Sequence, residues 1–151
     1  MTISKRSSRL RSTNRKASQL RVMAHQFQKH YTRTEARALL PQIRRWLARL
    51  TEQRQEVQKR EKQLQELMTP GRDVGGPLVN SWLRTVLEVQ DILLEFYRRD
   101  IQIKDLERGL IDFPTLMDGK EVFLCWEKSE PDIGFWHDIE SGYAGREKLE
   151  D

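Results

Sequence analysis

Apolar side chains recur through residues 41–68 at alternating spacings of four and three. The positions of this seam are Ile43, Leu47, Leu50, Arg54, Val57, Glu61, Leu64 and Met68. Six of the eight are apolar, and this heptad pattern predicts one long helix whose remaining circumference faces water. At about 1.5 Å per residue, such a helix would be about 42 Å long.

A helix start signal lies just before this seam. Thr32 and Glu35 are spaced as a capping box, in which the hydroxyl accepts an N–H and the carboxylate reaches back to the Thr32 N–H. The pattern predicts a short helix over 33–40. Pro41, which lacks an N–H, either kinks this helix or opens the next one at its first position.

A second helix is predicted over about 78–100, after a break rich in Gly and Pro at 69–77. Its apolar positions are Val79, Trp82, Leu83, Val86, Leu87, Val89, Leu93, Leu94, Phe96 and Tyr97. A face this wide needs covering on more than one side, by the sheet or by a second subunit. We expect Trp82 and Phe96 to be buried, and the sheet to pack near this helix.

Three short strands are predicted after the helices, over 110–115, 121–128 and 133–139. Pro114 makes the first an edge strand or ends it. Asp118 and Gly119 supply a tight hairpin turn, and the apolar run of the second strand places it centrally. The predicted fold class is therefore α+β, a long antiparallel helical hairpin followed by a three-stranded antiparallel β-meander, in one domain over 27–151.

The basic charge of the chain is concentrated at its beginning. Residues 1–22 hold seven Lys and Arg and no acidic residue, which leaves 20 of the 27 basic residues against all 23 acidic ones. We interpret 1–26 as a disordered basic tail. Alternatives are a contact with nucleic acid or an acidic surface, a mis-assigned start ahead of Met23, and a targeting arm.

Cysteine content and hydropathy suggest a cytoplasmic protein. The chain has one cysteine, so an intramolecular disulfide is excluded and a reducing compartment is expected. The longest apolar run, at 122–126, is far shorter than the roughly 18 residues of a membrane span, so we expect no membrane partner.

His137 is the one histidine inside the predicted fold, and His25 and His30 precede it. It alternates with Ile133, Phe135 and Ile139, so it shares their strand face. One interpretation is a core histidine satisfied by a carboxylate or a carbonyl. The other is a ligand or proton-transfer group.

Asp112 is a carboxylate in a partly buried strand and needs a partner. It could pair with Arg146 or cap the hairpin. Alternatively it orients His137 in acid–base chemistry, or joins it as a ligand of a divalent metal, the one cofactor the sequence suggests. The third ligand would then come from Glu35, Glu88 or Asp105.

Two further features most simply have structural roles rather than functional ones. Cys125 lies in a predicted buried strand, where a cysteine is usually an inert small apolar group rather than a nucleophile. The glycine-rich loop at 71–76 precedes a helix and could bind an anion through Arg72, although most such loops bind nothing.

Several segments together resemble an uncharacterised prokaryotic family, domain of unknown function 2203. They are residues 31–41, 73–77, 104–114, 124–126, 135–137 and 142–146. The resemblance covers about 27–149, and the family has no established activity to carry over. Its motifs cluster after residue 103 and imply a site there, with His137, Asp112 and Arg146 as catalytic candidates and Asp105, Trp126, Tyr143 and Arg146 as ligand-binding candidates.

Three functions remain open from the sequence. The first is a non-enzymatic interaction or scaffold domain on the helical hairpin, assembled as an antiparallel homodimer that covers Trp82, Leu87 and Leu94, with a protein partner not identified. The second is a metal-binding protein or acid–base enzyme at Asp112 and His137. The third is a nucleic-acid contact through residues 1–22.

Overall fold

Two long helices and a five-stranded sheet form the computed structural model, which describes residues 25–68 and 76–150. The elements are α1 (Arg33–Leu67), α2 (Pro77–Tyr97), β1 (Gln102–Asp105), β2 (Leu110–Met117), β3 (Lys120–Glu127), β4 (Phe135–Asp138), a short 3₁₀ helix (Tyr143–Gly145) and β5 (Glu147–Lys148). Neighbouring strands are antiparallel, in the order β1-β2-β3-β4-β5. Residues 1–24 of the tail predicted over 1–26, and residues 69–75 of the predicted break, lie outside the described residues. No helix in the described ranges is long and apolar enough to span a membrane.

The predicted capping box starts α1. The Glu35 N–H donates to Thr32 Oγ1 at 3.2 Å, and the Thr32 N–H donates to Glu35 Oε2 at 2.8 Å. The helix then runs through Pro41, so no new helix begins there. An interior proline costs about 3 kcal/mol, and burial of the apolar seam on both sides of it offsets that cost. The buried seam residues are Ala36, Leu40, Ile43, Leu47 and Leu50.

The hairpin of β2 and β3 matches its prediction. Asp118 and Gly119 both have positive φ, 51° and 77°, as a mirror-image two-residue turn requires. β3 lies at the centre of the sheet, and its residues 122–126 are buried. Pro114 lies inside β2 but beyond the end of β1, so it has no partner residue on that strand. Its carbonyl accepts the Tyr31 N–H at 2.7 Å.

The predicted count of three strands was wrong, because β1 and β5 complete the sheet. β1 has one apolar residue in four, and β5 has only two residues, both exposed. Such segments carry no alternating pattern. Their pairing depends on the strand beside them rather than on their own sequence.

The helix-facing side of the sheet packs mainly on α1, whereas we expected α2. Ile111, Phe113, Leu124 and Trp126 join the buried seam of α1 in one core, and α2 contributes Phe96. Trp82 is only half-buried, so its predicted burial was wrong. α2 packs along α1 and contacts the sheet mainly at β1.

The opposite side of the sheet carries a different set of residues, called here the outer face. Strand alternation and register place on it Asp112, Phe123, Cys125, Phe135 and His137. Within β2, β3 and β4, every candidate site residue except Trp126 therefore lies on this face.

Candidate metal centre

The register of the central strands brings together three side chains that can bind metal. Asp112 lies directly opposite Cys125 on the β2–β3 pair. His137 lies opposite Phe123 on the β3–β4 pair, which puts it on the diagonal from Cys125. Each of Asp112, Cys125 and His137 is at most 2% exposed.

Both ring nitrogens of His137 have partners. The Nδ1 lies 2.7 Å from the backbone oxygen of Asp138, and since a carbonyl only accepts, Nδ1 carries a hydrogen. The Nε2 lies 3.0 Å from Asp112 Oδ2. One proton is shared across that contact, donated either by an imidazolium or by a protonated carboxyl.

The second oxygen of the same carboxyl has no partner. Asp112 Oδ1 is buried and has no partner at hydrogen-bond geometry within the described residues, although the Cys125 thiol interacts with the same carboxyl. A buried carboxylate oxygen without a donor is costly, because it has lost its water without compensation. This unsatisfied oxygen marks a position where a cation or a donor would be stabilised.

Cys125 completes the group and is held as a thiol. Burial raises its pKa well above the ordinary value of a cysteine, and the negative charge of Asp112 raises it further, against the opposing effect of Arg146. A thiol in this state is a poor nucleophile. Coordination to a cation would remove its proton outright.

The three residues converge closely enough to form a binding site. One ligand atom from each of Asp112, Cys125 and His137 lies within 4.8 Å of the other two. Thiolate, imidazole and carboxylate are the ligands that Zn²⁺ takes, and they lie about 3 to 4 Å apart around a tetrahedral ion. The Nδ1–H···O=C bond of His137 fixes the tautomer that leaves Nε2 for a metal.

Arg146 lies beside this group, although it does not pair with Asp112. Its terminal nitrogen contacts both carboxylate oxygens of Glu130, at 2.6 and 2.8 Å. The guanidinium lies over the rings of Phe135 and Tyr143, at 4.1 and 4.7 Å from their centroids. Because Glu130 neutralises it locally, Arg146 offsets only part of the charge of a buried anion next to it, and its lowering of the Cys125 pKa is outweighed by burial and Asp112.

A family model described as "Uncharacterized conserved protein (DUF2203)" matches residues 29–149. The chain belongs to this family. No curated protein and no solved structure matches it. The family description assigns no activity, so a function for this member has to be argued from its own residues.

The remaining predicted site residues lie elsewhere in this family member. Trp126 is in the core on the helix side, with its indole N–H donating to the Glu130 carbonyl at 3.1 Å. Asp105 accepts the Arg108 N–H at 3.0 Å in the turn after β1. Tyr143 is 42% exposed, at the edge of the Arg146 cluster.

Among the described residues, none of the side chains expected as a third ligand (Glu35, Glu88 or Asp105) belongs to the group around Asp112 and His137. Glu35 is engaged in the helix cap, and Glu88 pairs with Arg49 at 2.7 Å on the helical hairpin. The structure places Cys125 next to Asp112 instead. The hairpin turn already contained this signal, because a two-residue turn at 118–119 pairs 117 with 120 and therefore 112 with 125.

Proposed function

We propose that this protein is a metal-binding domain that holds one divalent transition metal, zinc above others, through Asp112, Cys125 and His137. The observation that carries the proposal is the buried, unpartnered Oδ1 of Asp112 in a cluster that also offers a thiol and an imidazole. Mixed S, N and O ligands favour Zn²⁺ over Mg²⁺ or Ca²⁺, which prefer oxygen alone.

Charge balance supports a dication at this place. A carboxylate, a thiolate and a neutral imidazole together carry two negative charges, so a dication makes the buried group neutral. The neighbouring Arg146–Glu130 pair is neutral by itself. Burial of charge is costly unless it is compensated, and here the compensation is complete.

Three protein ligands leave a fourth position around a tetrahedral ion. In zinc enzymes that position holds water or substrate, and the metal lowers the pKa of the bound water. An enzymatic role would use this position. The ligands themselves are almost fully buried, so a substrate would reach the ion only if the covering side chains moved.

Cobalt titration tests the proposal directly. We expect the purified, metal-free protein to bind Co²⁺ with a thiolate-to-cobalt charge-transfer band that saturates at one equivalent. Cys125→Ser should abolish the band, and Asp112→Asn should weaken binding at least tenfold. Asp138→Asn is the matched control, because its side chain pairs with Lys120 and only its backbone touches His137.

The proposal fails if no charge-transfer band develops at any cobalt concentration in a folded protein. It also fails if Asp112→Asn and Asp138→Asn bind Co²⁺ equally well. Competition by protons is a further check. The affinity for Co²⁺ should decrease as the pH is lowered, because the thiol and the imidazole take up protons.

We also propose that the helical hairpin is an interaction surface, on a separate observation. Leu83, Leu87, Leu93 and Tyr97 of α2 are between 44% and 78% exposed. Beside them lies an apolar groove of about 370 Å³ between the two helices. The groove residues include Leu50, Val57, Trp82, Val86, Val89 and Leu93.

A second copy of this chain is the occupant that we propose. The charged residues Arg84, Glu88, Asp91 and Glu95 lie together on the opposite side of α2. The uncharged side of α2 forms a second seam, made of Val79, Leu83, Val86, Gln90, Leu93 and Tyr97. Their spacings of 4, 3, 4, 3 and 4 are the same in both directions. An antiparallel copy would place Leu83 opposite Leu93 and match an uncharged face with another. The mass in solution tests this pairing.

A further inference from the structure

A second group of metal-ligand side chains lies where the segment before α1 meets the start of β3. His30 Nε2 is 2.7 Å from Glu121 Oε1. The ring of His25 packs edge-on against that of His30, with centroids 5.1 Å apart. One ligand atom from each of the three residues lies within 4.8 Å of the other two.

The carboxylate of Glu121 is held in place by the backbone. The N–H of Gln26 donates to Oε2 at 2.7 Å, and the N–H of Phe27 donates to Oε1 at 3.0 Å. A carboxylate offers about four lone-pair positions, so one remains in addition to the one that His30 uses. The backbone bonds therefore orient Glu121 without exhausting it, as hydrogen bonds around metal ligands do.

The group is accessible from solvent, unlike the cluster around Cys125. His25 is exposed, and His30 and Glu121 have side chains 20% and 11% exposed. An ion could enter from the side of His25 and replace the proton that His30 shares with Glu121. Two ligand atoms of one metal lie roughly 3 Å or more apart. A small rotation of the His30 ring would open its 2.7 Å contact with Glu121 to that distance.

The two groups are separate sites on one strand. Glu121 and Cys125 lie on the same face of β3, four residues apart, which corresponds to about 13 Å. Phe123 lies between them and packs against Phe27 on one side and the His137 ring on the other, with centroids at 5.3 and 5.6 Å. No ligand atom is shared, so each group can bind independently.

We propose that His25, His30 and Glu121 form a second, solvent-accessible site for a divalent transition metal. Two imidazoles and one carboxylate suit borderline ions such as Zn²⁺, Ni²⁺, Cu²⁺ and Fe²⁺, and discriminate against Mg²⁺ and Ca²⁺. A bound ion would tie the segment before α1 to β3 more tightly than the His30–Glu121 contact alone. This site is independent of the proposed centre at Cys125.

Zinc titration by calorimetry separates the two sites. We expect the full chain to bind two equivalents of Zn²⁺, and His25→Ala to bind one. In a Cys125→Ser background one equivalent should remain, and adding His25→Ala there should weaken that binding at least tenfold. Gln26→Ala is the matched control, because only its backbone N–H contacts Glu121.

Thermal melting gives a second measurement that does not depend on activity. Zn²⁺ should raise the melting temperature of Cys125→Ser, and His25→Ala should remove that rise. The proposal is overturned if His25→Ala leaves the zinc stoichiometry of the full chain unchanged. Failure of the centre at Cys125 would differ, because the cobalt charge-transfer band would be missing while binding that depends on His25 persisted.

Discussion

At the scale of single residues, the outer face shows how burial changes chemistry. Cys125 alone is an unreactive thiol, and His137 is a ring with a hydrogen bond at each nitrogen. Asp112 has a hydrogen-bond partner for only one of its two carboxylate oxygens. Each is an unremarkable core residue by itself. Only their convergence within 4.8 Å of one another supports the proposal that they bind a metal together.

Arg146 gives a prediction at this scale. Arg146→Ala would remove a mostly buried guanidinium from between two aromatic rings and leave Glu130 without its cation. We expect a loss of about 3 kcal/mol in the free energy of unfolding, measured by urea denaturation.

Arg108→Ala is the matched control for that measurement. Arg108 also pairs with a glutamate, Glu127, and also lies over Tyr143, but its side chain is 42% exposed. Its loss should cost clearly less than the loss of Arg146, because solvent screens an exposed ion pair. Equal effects of the two substitutions would contradict the importance that we assign to burial at Arg146.

At the scale of elements, tight turns and close helix–sheet contacts determine where the strands lie. The turn at 118–119 sets the register that pairs Asp112 with Cys125. Gly109, just before β2, has a φ of +67° and approaches both Lys128 and Leu47 of α1. A side chain there would press on the contact between the sheet and α1.

Gly109 and Gly119 therefore form a matched pair for substitution. A Cβ at Gly109 would lie 2.7 Å from Lys128 Cβ, whereas one at Gly119 would meet nothing within 4 Å. Both have positive φ, which costs a non-glycine residue about 1 kcal/mol or more. We expect Gly109→Ala to lower the thermal midpoint clearly more than Gly119→Ala. Similar midpoints for the two variants would show that the sheet moves away from Lys128 at little cost.

At the scale of the whole molecule, α1 packs on the sheet and α2 packs on α1, while α2 also contacts β1 and adds Phe96 to the core. One face of α1 is buried under the sheet, and α2 packs antiparallel along another part of it, as the contacts Trp46–Phe96 and Arg49–Glu88 show. The apolar arc of α2 is wider than the part that α1 covers. The molecule is therefore left with an apolar surface on α2, which is the surface expected to pair.

Assembly in solution follows from that surface. We expect light scattering at micromolar concentration to give twice the 18.0 kDa mass of one chain, because pairing covers the exposed seam of α2. Leu83→Glu should give the single-chain mass. Arg84→Glu, which introduces the same group one position away on the charged side, should leave the dimer intact. A mass of one chain for the unmodified protein would rule out the pairing.

Local signals in the sequence determined several elements by themselves. The capping box at Thr32, the first long helix with the part of its apolar seam from Ile43 to Leu50, the Asp118–Gly119 turn and the buried central strand were predicted and are confirmed. Each depends on residues within a few positions of one another, where backbone sterics, capping and periodicity act directly. The family resemblance was confirmed as well, by a match over residues 29–149.

Long-range contacts decided the rest. Pairing with neighbouring strands made β1 and β5 into strands, and the sheet packed mainly on α1. Cys125, rather than a distant carboxylate, joined Asp112 and His137. His25 and His30 reached Glu121 across more than ninety positions of the chain. No local pattern encodes such meetings, because they depend on the free energy of packing whole elements together. The sequence thus determined the elements and the available ligand types, and the tertiary structure decided which ligands meet.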